Sequence, residues 1–230
     1  MLERQNSRER LLDAADALMH DRGYEAVSVA YLCAAADARI GNLWPSKRDL
    51  ALAMLGRAWE RNCKRLFDPI FNNDDTVIEK FLNYGEFLAN GFTANREKAG
   101  HMVGCRFGNF AAELSTRDSV VHERVSKTLI LIAGMFETAI HAAMKRGELA
   151  DNLDATDIAC AILAPMEGLM VIAKANNDPD MLRRLGRDSL KLMDSNNSLL
   201  AAPIMTRLSS GMCFGPVGRI SSSFSASDIF

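Results

Sequence analysis

Residues 28–47 read SVAYLCAAADARIGNLWPSK. Ser28 stands directly ahead of Val29, Leu32 and Cys33, the arrangement of a helix N-cap followed by a short helix that runs into Ala34-Ala35-Ala36. Asp37 and Ala38 occupy a tight turn, and Asp accepts a left-handed backbone better than most residues. A third short helix is expected from Ile40 to Trp44. It must stop at Pro45, because the residue before a proline is pushed out of the helical region. Upstream, Leu11, Leu12, Ala15, Leu18 and Met19 recur at three- and four-residue steps, with Ser7 as cap and Gly23 as stop. Together these segments make a helix-turn-helix corner. Any small helical bundle can hold such a corner, so it does not by itself fix the class of protein.

Outward from the corner, the helical period continues. Ser46 caps a fourth helix carrying Leu50, Met54, Ala58 and Arg61 to about Phe67, with Asp49 in the capping-box position. Asp68-Pro69 to Asp75 is polar and turn-rich. Phe81, Tyr84, Phe87 and Leu88 mark the next helix, and Gly104 to Leu114 a shorter one. A long amphipathic helix is expected from Ser119 to Arg146, closed by Gly147. Asp154 caps another through Asn176, and Asp178-Pro179 begins the last, to about Met193. No stretch alternates over enough residues to demand a sheet, so the fold class is all-α. The division expected is a helix-turn-helix module over 1–50, a helical effector-binding and dimerisation domain over 51–194, and a Ser/Gly-rich disordered tail over 195–230.

Composition narrows the function. With 230 residues, 48% apolar and 24% charged, the chain can bury a core without disulfides or a structural metal. Twenty-seven Lys+Arg against 29 Asp+Glu supply no global field for nucleic acid or anionic membrane. Through Arg65 the balance is 11 against 9, a modest positive excess for a DNA module. No uninterrupted apolar run reaches the ~20 residues of a spanning helix. Met1-Leu2-Glu3-Arg4-Gln5 lacks the apolar stretch of a secretory signal. Five cysteines, widely spread and without a CxxC pair, fit a reducing cytoplasm. No P-loop, dinucleotide fingerprint or nucleophile elbow is present, so no enzyme activity and no cofactor are expected. His101 with Cys105, and Glu137 with His141, stand four apart, but neither pair has the further ligands a metal needs.

The specific residues go further than the pattern. Arg22-Gly23-Tyr24-Glu25-Ala26-Val27-Ser28-Val29 resembles the opening of the DNA-binding domain of TetR-family repressors. Ala34-Ala35-Ala36 and Pro45-Ser46-Lys47-Arg48-Asp49-Leu50 resemble its later parts. Gly104-Cys105-Arg106-Phe107-Gly108-Asn109-Phe110 and Glu167-Gly168-Leu169-Met170-Val171-Ile172-Ala173-Lys174 are similar to two ligand-domain motifs of one branch of that family. The resemblance spans roughly residues 7–193. It implies a cytoplasmic homodimeric repressor that binds double-stranded operator DNA, does not engage a membrane, and responds to a small-molecule effector or electrophile.

Site residues follow from both lines. Ser28 offers a hydroxyl to a phosphate, Arg39 and Asn42 flank Gly41 on the outward side, and Lys47 at a helix start suits a phosphate; Trp44 supplies aromatic packing. By resemblance, Cys105 and Lys174 form the sensing pair of the electrophile- and oxidant-responsive branch. Phe81, Tyr84, Phe87, Phe107, Phe110 and Phe136 are candidates to line an apolar effector cavity, although core packing, which any helical bundle needs, accounts for most of them. The sequence departs from the family where Leu43-Trp44 passes straight to Pro45, about three residues short of the usual aromatic-rich run, near one helical turn. That departure opens a second reading, a helical ligand-binding or dimerisation protein whose operator binding is weakened or lost.

Overall fold

The computed structural model describes residues 2–41 and 43–191; Asn42 and the expected tail, 195–230, lie outside the described residues. Among the described residues every regular element is helical: α1 Leu2–Arg22, α2 Val29–Ala36, α3 Lys47–Asn62, α4 Asp68–Phe71, α5 Val77–Ala99, α6 Arg106–Leu114, α7 Ser119–Lys145, α8 Ala155–Asn176 and α9 Asp180–Lys191. The all-α class is confirmed. The helices gather into two compact units, residues 2–63 with 105–129, and residues 64–104 with 130–191. The first unit thus runs past residue 50 to the end of α3, and takes in α6 and the start of α7 as well.

Several ends sit where short-range chemistry puts them. Ser28 Oγ accepts from Tyr31 N, and Ser46 Oγ from Asp49 N. Asp154 caps α8 by accepting from Thr156 N and Asp157 N. Asp37 closes α2 in the left-handed region at φ 44°, with its own N–H on Ala34 O and that of Ala38 on Cys33 O. Three expectations change. Ser7 lies inside α1, not at its start, because the residues from Leu2 to Asn6 continue the helix. Helix α5 begins at Val77, four residues before Phe81, because Thr76 and Glu79 form a full capping box. The third helix expected at Ile40–Trp44 is only a single turn, closed by the N–H groups of Leu43 (2.9 Å) and Trp44 (3.0 Å) on Ile40 O.

In the first unit α1 packs against α2 and α3. Leu11, Leu12, Ala15 and Met19 of α1 are buried, as are Leu50, Met54 and Leu55 of α3. A charged cluster joins α1, α3 and α6. Arg106 Nη2 stands 2.6 Å from Asp16 Oδ1 as a close ion pair, and Arg61 Nη1 donates to Asp16 Oδ2 at 2.8 Å. Arg106 also reaches His20 Nδ1 at 3.0 Å; a guanidinium only donates, so that ring nitrogen accepts.

The second unit brings α9 against α5 and α8. Its aromatic cluster joins Phe67, Phe71, Phe81, Tyr84 and Phe136, with Phe81 and Phe136 edge-on at 5.1 Å and Phe71 stacked on Phe136 at 5.4 Å. Lys80 is buried beside it. Its ammonium donates to Asn73 O (2.6 Å), Asn73 Oδ1 (2.7 Å) and Phe71 O (3.3 Å), which satisfies all three N–H bonds and pins the α4–α5 connection. Helices α7 and α8 prove long and apolar enough to span a bilayer by length and composition, a test that core helices of soluble proteins also pass. In α8, Asp157, Glu167 and Lys174 interrupt the apolar residues, which is why no unbroken run stands out in the sequence.

The Asp16 cluster makes stability depend on acid. Burial opposes the carboxylate, yet Arg106 and Arg61 hold its pKa below the ordinary aspartate value. The depressed folded-state pKa gives stability that is present above the unfolded value of about 4 and is lost as pH falls through the folded one. Asp16→Asn is therefore expected to be less stable than the parent at pH 7. Its denaturant midpoint should also change less between about pH 5 and pH 2, as urea titrations followed by circular dichroism will show.

Candidate functional site

The outward corner of the first unit is held from behind by α1. Arg10 Nε donates to Ala36 O at 2.9 Å and Arg10 Nη2 to Asp37 O at 2.8 Å, so one guanidinium closes the end of α2 and the turn after it. Cys33 Sγ accepts from Ile40 N at 3.3 Å. Arg8 Nη1 donates to Leu43 O at 2.7 Å, and its guanidinium carbon lies 3.6 Å from the centroid of the Trp44 ring. A single turn closed by two backbone bonds has no stability of its own. These side chains hold it in place.

Ser28, Arg39 and Gly41 are exposed on this corner. The Ser28 oxygen is engaged as a cap, which leaves its hydroxyl hydrogen for a phosphate. Asn42 is outside the described residues. Trp44 is buried, 6% exposed, so its role at the corner is packing under Arg8. Lys47 opens α3 and is half-buried, with its ammonium 4.0 Å from the centroid of the Tyr24 ring. Burial pushes its pKa below the ordinary lysine value, against the opposing pull of Glu25 and Glu113.

Cys105 is the N-cap of α6. Its Sγ accepts from Gly108 N at 3.4 Å, and Gly104 before it adopts φ 75°, which favours glycine. The thiol is half-buried. Lys174 lies on the exposed side of the last turn of α8, in the second unit. The segment leading to Cys105 is fixed by Asn177, whose Oδ1 accepts from Met102 N at 2.9 Å and whose Nδ2 donates to Gly100 O at 3.0 Å.

The six aromatic residues are not brought together. Phe107 and Phe110 belong to the first unit, where they meet Trp59 and Tyr24 edge-on. Phe87 is 41% exposed. Only Phe81 and Tyr84 line a cavity of about 290 Å³ in the second unit, together with Ile162, Met166, Leu182 and Arg183. The second unit fills the rest of its aromatic space by ring-on-ring packing, the core alternative that composition left open.

Sequence reading missed Glu113. Its carboxylate, on α6, accepts from Tyr24 N at 2.8 Å and Glu25 N at 2.7 Å, across nearly ninety residues of sequence. No local pattern marks such a residue, since its partners are backbone groups of the α1–α2 turn.

Comparison with known proteins agrees with this geometry. Residues 87–188 match the family described as "Tetracyclin repressor-like, C-terminal domain". The HTH-type transcriptional repressor ComR of Escherichia coli K12 is 24% identical over 188 residues, covering 80% of this chain and 88% of ComR. Residues 87–188 thus carry a tetracycline-repressor-like C-terminal domain. A crystal structure of a TetR transcriptional regulator from Chloroflexus aurantiacus J-10-FL superposes with a TM-score of 0.73 at 23% identity, covering 85% of this chain and 98% of that one. A cysteine-substituted form of the TetR-family regulator CifR, bound to a 26-base-pair operator duplex, superposes at 0.69 and 20% identity, covering 80% and 94%. At these identities the structural likeness is one of fold.

If Arg8 holds the turn of this TetR-type corner, Arg8→Ala will speed amide hydrogen exchange at Leu43 and Trp44 while leaving α2 protected. Unchanged protection at those two amides would show that the guanidinium does not support the turn.

Proposed function

We propose that the protein is a homodimeric, cytoplasmic, TetR-type transcriptional repressor. Its first unit binds operator DNA, and a small effector or modification of Cys105 releases it. The observation that carries this reading is the outward corner: Ser28, Arg39 and Gly41 exposed together on a turn braced by Arg8 and Arg10, with Lys47 at the following helix start. In such a corner Arg39 and Gly41 face base edges, while Ser28 and Lys47 hold phosphates. Two copies are needed to read two half-sites. The exposed stripe of α8, with Ala161, Ala164, Gly168, Val171 and Ile172, supports pairing with a second chain. Cys105 supports the release step because it caps α6, and α6 belongs to the same compact unit as the helix-turn-helix. An electrophile that adds to its sulfur changes the cap of that helix. Cysteine reacts as its thiolate, and by resemblance Lys174 belongs to the same sensing function. The cavity bounded by Phe81, Tyr84 and Met166 is the candidate site for a reversible effector.

The single turn at residues 40–44 favours one rival, a helical ligand-binding or dimerisation protein without operator binding. A gel shift with the DNA flanking its own coding region separates the two. The repressor gives specific, salt-dependent retardation, and the rival gives at most weak, sequence-blind binding. Lys47→Ala is expected to weaken cognate and random duplexes alike, whereas Arg39→Ala should lower discrimination between them.

For the release step, maleimide at neutral pH is expected to label Cys105 preferentially and to free the DNA. Cys105→Ser should keep its DNA under the same treatment, and Lys174→Met should slow the labelling. Equal release from Cys105→Ser would leave a reversible effector as the only signal.

A further inference from the structure

We propose that Glu113 is a positioning residue for DNA binding, acting through Tyr24 on the ammonium of Lys47. This rests on the reading above in one respect, that Lys47 contacts a phosphate.

Three contacts carry the inference. The first is the Glu113 carboxylate on the α1–α2 turn. Its two oxygens each accept one backbone N–H, from Tyr24 (2.8 Å) and Glu25 (2.7 Å). Hydrogen bonds to an ionised acceptor are about twice as strong as neutral ones, so the backbone on both sides of the Tyr24 Cα is fixed. The turn is fitted to that carboxylate. Gly23 sits at φ 89°, and a Cβ built there would stand 3.0 Å from Glu113 Oε2. The second contact is the edge-on approach of Phe110 to the Tyr24 ring at 6.2 Å and 67°. Phe110 lies on α6 three residues before Glu113, so one helix holds both the backbone and the ring of Tyr24. The third is Lys47, whose ammonium lies 4.0 Å from the centroid of that ring.

An ammonium carries three N–H groups, and a ring face engages it from one side. The others stay available to a phosphate oxygen. A free lysine side chain loses much rotamer freedom when it grips a phosphate. Here Tyr24 confines the chain beforehand, and Glu113 confines Tyr24. The carboxylate itself is a poor neighbour for DNA, since its charge repels phosphates. Its presence beside a phosphate-binding lysine is accounted for by what it holds.

That last point gives a test with a definite sign. Glu113→Gln keeps the shape and removes one negative charge, which alone would tighten binding to any duplex. If Glu113 positions Lys47, Glu113→Gln instead weakens binding to a mixed-sequence duplex by about three- to tenfold. The slope of log K against log salt falls by nearly one, as it does for Lys47→Ala. In the Lys47→Ala background the same change causes no further weakening, because the group it positions is gone. Tyr24→Leu leaves the backbone clamp in place but removes the ring. It is expected to reproduce both the weakening and the lack of further weakening beside Lys47→Ala, and it decides the matter if Glu113→Gln does not fold. Thermal melting of each variant confirms that folded protein is compared. Binding by Glu113→Gln equal to or tighter than the parent, or losses that add to that of Lys47→Ala, would overturn the proposal and leave the phosphate role of Lys47 intact. Full binding by Lys47→Ala alone would remove that role, and the proposal with it.

Discussion

The ion pair between Asp16 and Arg106 governs which parts of this chain form one body. Both groups are largely buried, and a buried charge without a partner costs several kcal/mol. Each charge therefore needs the other, although ninety residues separate them. Satisfying both brings α6 onto α1, and Arg61 joins α3 to the same point. Burial of Phe107 against Trp59 and of Phe110 against Tyr24 adds apolar area around the charged cluster. The result is a unit in which the helix-turn-helix and the helix capped by Cys105 share a core. In chain order they lie on opposite sides of α5.

The corner between α2 and α3 shows how a short segment can keep a defined shape. A helix supplies its own backbone partners, whereas a single turn leaves most of them unmet. Here the side chains of Arg8, Arg10 and Cys33 meet them. The corner consequently depends on α1 more than a longer helix would. Trp44, just before Pro45, lies under Arg8 with its indole buried.

The second unit follows a different logic. Its aromatic residues pack on one another, and one open space lies along α5, α8 and α9. That space joins apolar walls to polar groups such as Asn83 and Arg183. Arg183 is already held by Glu86 at 3.0 Å and Asn90 at 2.6 Å. These bonds fix the Arg183 side chain on the wall of that space.

The sequence by itself determined the features that depend on neighbours within a few residues. The caps at Ser28, Ser46 and Asp154, the left-handed turn at Asp37 and the stop at Gly147 were legible because each is a contact between a side chain or backbone and the chain close by. The helical period gave the all-α class, and the quoted motifs gave the resemblance to TetR-type repressors. Tertiary structure alone decided the rest. It reduced residues 40–44 to one turn, because too few residues precede Pro45 to complete a helix once α1 engages Leu43 and Trp44. It divided six aromatic residues between two units, since periodicity shows which side of a helix is buried but not against what. It also gave Glu113 its place, because the backbone N–H groups it accepts carry no residue-specific signature and lie 88 and 89 positions away.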